Sequence, residues 1–161
     1  MHTVYLILGS NLGDSGQQLA DAVRLIQDRV GDIVDKSALY ETAAWGVNNQ
    51  PNYLNQVLKV HTALVPEQTL NETLQIEKEL GRKRNVKWEA RMIDIDILFY
   101  DAVILDTPRL KIPHPLLHLR RFVLAPLIEI APDLIHPLYQ MGIADLFEKL
   151  DDNLLVKRME K

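Results

Sequence analysis

The sequence predicts an α+β domain in which an antiparallel sheet carries two helices on one face. Three observations predict it. Apolar runs at 4–8, 53–64 and 91–98 have the continuous or alternating character of strands. Leu19, Ala22, Val23, Ile26 and Val30 recur at helical spacing. Pro66 can open a second helix that Gly81 closes. The chain has 161 residues, enough for one domain with its own core, and residues 1–161 are read as a single unit.

The elements follow in order. "VYLIL" (4–8) is a continuous apolar strand running into "GSNLGDSG". Ser15 and Gln18 form a candidate capping box for the first helix, and Gly31 a candidate stop. "DIVDKSALYET" (32–42) reads as one strand and "AAWGVNNQP" (43–51) as a turn-rich loop. "YLNQVLKVHTAL" (53–64) alternates, with Leu54, Leu58 and Val60 on one face and Tyr53, Asn55 and Val57 on the other. The second helix runs from Pro66 to Leu80, and a basic loop leads into "RMIDIDILFY" (91–100). The order is β-α-β-β-α-β, the ferredoxin-like arrangement. A short hairpin (Val103–Ile112), a helix from about Leu116, a turn at "APDLIHP" and a short helix near Ile143–Leu150 complete the chain. Ile93, Ile95, Ile97 and Phe99 are expected to pack on the helices. Asp94, Asp96, Tyr53 and Asn55 are then expected on the open face.

Composition excludes several classes. Without Cys there is neither a disulfide framework nor a thiolate metal site, which suits a cytoplasmic protein. No apolar run approaches the ~20 residues of a membrane span. The N-terminus lacks a basic region and cleavage site, so no signal peptide is expected. The net charge is −4, yet residues 78–121 hold ten Lys or Arg against six acids. An acidic chain with one basic segment points to a local anion site, or to a solvated basic face, rather than to nucleic acid.

The two aspartates of "DID" carry the chemistry. Residues i and i+2 of a strand share a face, about 6.6 Å apart along the chain. Like charges that close raise each other's pKa unless a cation compensates them. Mg²⁺ takes one or two carboxylates together with waters and substrate phosphates, and two such ions can clamp a transferring phosphoryl group. The alternative is a half-exposed strand with two solvated acids. The basic stretch "GRKRNVKWEAR" just upstream favours phosphate. No G-x-x-x-x-G-K-[ST] or G-x-G-x-x-G motif occurs. Gly9 reads as a backbone necessity after its strand. Tyr53 beside Asn55 offers a stacking ring and an amide, the pair that a flat heterocycle needs. His114 sits before a helix near Arg109 and Arg120, suited to phosphate or to a turn role.

"LGSN" (8–11), "YETAAWGVNNQPNYLN" (40–55), "RMIDIDIL" (91–98), "RLKIPHP" (109–115) and "RRFVLAPLIEIAPDLIHP" (120–137) together resemble the 6-hydroxymethyl-7,8-dihydropterin pyrophosphokinase family. The resemblance runs in order from residue 4 to about 137. It implies a ferredoxin-like fold and transfer of pyrophosphate from ATP to a pterin alcohol in folate biosynthesis, with release of AMP. By the resemblance, Asp94 and Asp96 hold two Mg²⁺ ions. Glu77, Arg82, Arg84, Trp88, Arg91, Arg109, His114 and Arg120 match positions around ATP, as does the backbone at Ile97. Thr42, Ala43, Trp45, Tyr53, Asn55 and Phe122 match the pterin pocket, with Tyr53 and Phe122 stacking. Arg82, Arg91 and Asp96 are the candidate catalytic residues. The partners implied are these small molecules, with no nucleic acid or membrane and a monomeric chain. Several positions depart from the family's pattern. Glu89 and Ala90 replace a usual Gly-Pro pair, Leu74 a polar contact and Lys111 a small hydroxyl residue. Ala43 and Ala44 replace frequent prolines. Loop 82–91 is expected to close over ATP.

Overall fold

A computed structural model describes residues 1–11, 14–42, 52–82, 93–152 and 155–159, with residue 82 described by its backbone. Strand β1 (His2–Ser10) leads to helix α1 (Ser15–Arg29), strands β2 (Asp32–Lys36), β3 (Tyr40–Thr42) and β4 (Tyr53–Thr62), helix α2 (Pro66–Arg82) and strand β5 (Asp94–Tyr100). A β6 (Leu105–Asp106) and β7 (Lys111–Ile112) hairpin follows, then a 3₁₀ turn (Leu117–Leu119) and α3 (Arg121–Ile130). A second hairpin, β8 (Ile135–His136) and β9 (Met141–Gly142), then α4 (Ile143–Glu148) and β10 (Val156–Arg158) end the described chain. The sheet order is β5-β1-β4-β3-β10, with β2 also on β4, and all its pairings are antiparallel.

Sequence patterning explains most of this, and side-chain chemistry corrects the rest. Helix α1 is capped one residue earlier than the Ser15–Gln18 box requires. The Asp14 carboxylate accepts from the Gln17 amide at 3.1 Å, while Gln18 is buried. The helix ends at Arg29 with Val30 as its cap, and Gly31 follows without a left-handed turn; what calls for glycine there is space. A Cβ there would stand 2.1 Å from the His61 carbonyl oxygen. The expected strand 32–42 is two strands, because the Ser37 hydroxyl accepts from the Val57 amide at 3.0 Å and interrupts the ladder. Helix α2 passes through Gly81, where a Cβ would meet nothing within 4 Å. Two hairpins stand where the sequence suggested one and a turn.

The sheet has a core on each face. Val4, Leu6, Leu8, Leu58, Val60, Ile93, Ile95 and Ile97 pack with Leu19, Ala22 and Ile26 of α1 and Ile76 and Leu80 of α2. Each large apolar side chain buried here stabilises the fold by roughly 1.5–3 kcal/mol. The face expected to be open is half covered. Tyr5, Ile7, Val57, Leu98 and Phe99 pack against Val123, Leu124 and Leu127 of α3 and Ile143 and Leu146 of α4. Phe99 was expected among the helix-facing residues and is not. The register passes from Leu6↔Ile97 to Tyr5↔Phe99, so Leu98 is an extra residue. Leu98 keeps the second face, as alternation from Asp96 requires, and the bulge turns Phe99 to that face as well and Tyr100 to the first. The uncovered part of the second face lies toward the end of β1 and the start of β5.

Candidate active site

That uncovered part is a pocket of about 290 Å³. Its floor is the second face of the sheet, row by row. Asn55, Gly9 and Asp94 are cross-strand partners, as are Val57, Ile7 and Asp96, and Thr42 stands opposite Tyr53. Cross-strand partners share a face, so β1, β4 and β5 bring an amide, a ring and two carboxylates into one space. His114, Arg120, Phe122 and Val123 form its other wall.

Each wall has a physical cause. Helix α3 is tied to β3 by Glu129, which accepts from the Tyr40 hydroxyl at 2.8 Å. Burial, then this bond to Glu129, pushes the Tyr40 phenol up to about 12. The tie sets Phe122 over the pocket, with the Arg120 guanidinium 5.5 Å from its ring centroid. His114 is held by its own amide, which donates to the Leu98 carbonyl at 3.0 Å. Its Nδ1 accepts from the Leu116 amide at 3.3 Å, which leaves Nε2 as the N–H donor. Burial lowers the imidazole's pKa, Arg120 acts in the same sense, and Asp96 opposes them. A neutral ring that donates from Nε2 is suited to a phosphate oxygen.

Asp94 and Asp96 are exposed at the start of β5. No group of three or more metal-ligating side chains occurs among the described residues. Two exposed carboxylates, with no third metal-ligating side chain grouped with them among the described residues, fit Mg²⁺, which fills its sphere with water and phosphate oxygens. Across the pocket, the Asn55 Nδ2 donates to the Leu8 carbonyl at 3.2 Å. The Thr42 hydroxyl is buried without a hydrogen-bond partner among the described residues. An anchored amide, a buried hydroxyl, the Tyr53 and Phe122 rings and an exposed carboxylate pair fit a flat heterocycle next to a phosphate chain.

A family model for 7,8-dihydro-6-hydroxymethylpterin-pyrophosphokinase matches residues 5–132. The chain belongs to this family. Similar proteins include the 2-amino-4-hydroxy-6-hydroxymethyldihydropteridine pyrophosphokinase of Aquifex aeolicus, 46% identical over 145 residues and covering 90% of each chain. The enzyme of that name from Haemophilus influenzae is 40% identical over 158 residues, 98% of each chain. Among solved structures, wild-type Plasmodium falciparum HPPK-DHPS superposes with a TM-score of 0.75 at 17% identity, over 92% of this chain. This chain spans 44% of that larger one, and at such identity the likeness speaks for the fold.

The pocket gathers Thr42, Tyr53, Asn55, Asp94, Asp96, His114, Arg120 and Phe122 from the residues that the pyrophosphokinase resemblance suggests. Three others lie outside it. Glu77 accepts from the Ile95 amide at 2.6 Å, on the outer edge of β5. Ile97 buries its side chain on the helix face, and its amide alternates with that of Ile95 toward the same edge. Arg109 pairs with Glu67 and Asn71 of α2. Ala43, Trp45, Arg84, Trp88, Arg91 and the Arg82 side chain lie outside the described residues. Ile7, Gly9, Leu98 and Val123 line the pocket without having been singled out for it. Alternation from Asp96 would have found Leu98, but Ile7 and Gly9 needed the register of β1.

Proposed function

We propose that this chain transfers pyrophosphate from ATP to the hydroxymethyl group of 6-hydroxymethyl-7,8-dihydropterin, releasing AMP, in folate biosynthesis. The observation that carries the reading is the shared floor, where the Asn55 amide and the Asp94 carboxylate stand in one row of the sheet and Asp96 in the next. The fold is read as ferredoxin-like and the working unit as a monomer. Tyr53 and Phe122 sandwich the pterin, while Asn55 and Thr42, with Ala43 and Trp45, meet its edge.

Asp94 and Asp96 would hold two Mg²⁺ ions, and the chemistry these would supply is neutralisation of phosphate charge and a lowered pKa for the substrate hydroxyl. That hydroxyl oxygen bonds to the β-phosphorus as the bond from it to the α,β-bridging oxygen breaks. AMP departs with the bridging oxygen. The hydroxyl proton goes to solvent, with Asp96 as the candidate protein acceptor. His114 and Arg120 hold phosphate oxygens, joined by Arg84, Trp88 and Arg109, and Glu77 and the Ile97 backbone border the adenine side. Arg82 and Arg91 follow the developing charge. Catalysis is then positioning and charge neutralisation, as in phosphoryl transfer generally. The test is an assay for products from ATP, Mg²⁺ and the pterin alcohol. AMP formed in step with pterin diphosphate supports the reading, whereas ADP, or no pterin-dependent turnover, refutes it.

A further inference from the structure

We propose that Gly9 is a positioning residue of this pocket: its missing side chain lets Asn55 lie across β1 in the orientation that receives the heterocycle. The inference rests on the assignment of Asn55 to the pterin. Gly9 is the cross-strand partner of Asn55 on β4 and of Asp94 on β5. With neighbouring strands about 4.8 Å apart, the Cα atoms of Asn55 and Asp94 are about 10 Å apart, with Gly9 midway. The floor between the amide and the carboxylate is therefore bare backbone.

Asn55 uses that space. Its Nδ2 donates to the carbonyl of Leu8, the residue before Gly9, at 3.2 Å. A Cβ on Gly9 would stand 2.6 Å from the same nitrogen, so Asn55 would have to turn away. The backbone of Gly9 is not in the left-handed region. A glycine inside a strand weakens it, and here conformational freedom gives no reason for one. Space does. A carbonyl can only accept, so the Leu8 bond fixes which amide atom faces it and leaves Asn55 Oδ1 for a donor. An N–H on the heterocycle edge is the complementary group. Asn55 is 7% exposed, so an amide turned the wrong way would confront the ligand with an unmatched polar atom.

The test is a double-mutant cycle of Gly9→Ala, Asn55→Ala and both together. Calorimetry reads the Kd of 6-hydroxymethyl-7,8-dihydropterin, with Mg²⁺ and a non-hydrolysable ATP analogue present, and separately the Kd of that analogue. Gly9→Ala is expected to weaken pterin binding about tenfold, the scale of one mispaired buried polar group, and to leave nucleotide binding unchanged. The double variant is expected to bind pterin no worse than Asn55→Ala alone. If Asn55→Ala leaves pterin binding intact, the assignment of Asn55 fails, and this inference with it. If Asn55→Ala weakens binding but Gly9→Ala does not, or if their effects multiply, positioning by Gly9 alone is overturned. Should Gly9→Ala not fold, a folded double variant supports the clash with Asn55. An unfolded double variant shows that the glycine serves the strand, and overturns the inference.

Discussion

Replacing Glu77 tests how β5 presents its aspartates. Ile95 lies between Asp94 and Asp96, and its amide donates to the Glu77 carboxylate at 2.6 Å. Among the described residues β5 pairs with β1 alone, so this bond from α2 secures its outer edge. A bond to a charged acceptor contributes about 2 kcal/mol net, and a neutral one about half that. Glu77→Ala should therefore cost about 2 kcal/mol and lower Tm by about 6 °C for a chain of this size. Glu77→Gln keeps an acceptor oxygen and should cost about 1 kcal/mol. Amide exchange followed by NMR gives a site-specific reading. Ile95 should exchange about 30-fold faster in Glu77→Ala, the equivalent of 2 kcal/mol, with less change in Glu77→Gln. The half-saturating Mg²⁺ concentration should rise in the same order, because a loose strand holds its two carboxylates less well. Unchanged Ile95 exchange in Glu77→Ala, or equal damage from Gln and Ala, would refute the reasoning.

Asp94→Ala and Asp96→Ala should each abolish Mg²⁺-dependent turnover with little change in Tm, because both side chains are exposed; activity near the wild-type level in either would sink the metal assignment. Phe122→Ala should weaken pterin binding about tenfold and nucleotide binding little, since stacking contributes about 1 kcal/mol beyond burial; equal loss for both ligands, measured by calorimetry, would contradict the pocket. Burial, then His118, hold the His136 imidazole down at about 4, against an ordinary 6.5. The unfolded chain therefore binds a proton between those values that the folded chain refuses. Stability should be full above about pH 6.5 and fall by about 3 kcal/mol as pH drops through 4. Urea unfolding across that range should show the slope, and His136→Asn should remove it.

Local patterning was enough for α1, α2, β1, β4 and β5, because burial on one face imposes a period that the sequence displays. It also placed Asp94 and Asp96 on a face away from Ile93, Ile95 and Ile97, and Tyr53 and Asn55 away from Leu54 and Leu58. Ordered family motifs, rather than periodicity, singled out Thr42 and Phe122 in advance. Interactions between distant residues were not legible. Ser37 splits a strand through Val57, and Asp14 captures a cap that Ser15 could have made. A bulge at Leu98 reverses Phe99 because β1 sets the register opposite it. Glycine gives the clearest division. Where Gly9 and Gly31 stand in the chain is plain from their order. That an Asn55 amide and a His61 carbonyl occupy the space where their side chains would be emerges from folding alone. Periodicity is a property of one segment and its solvent, whereas register and close approach belong to two segments that meet only after the chain has folded.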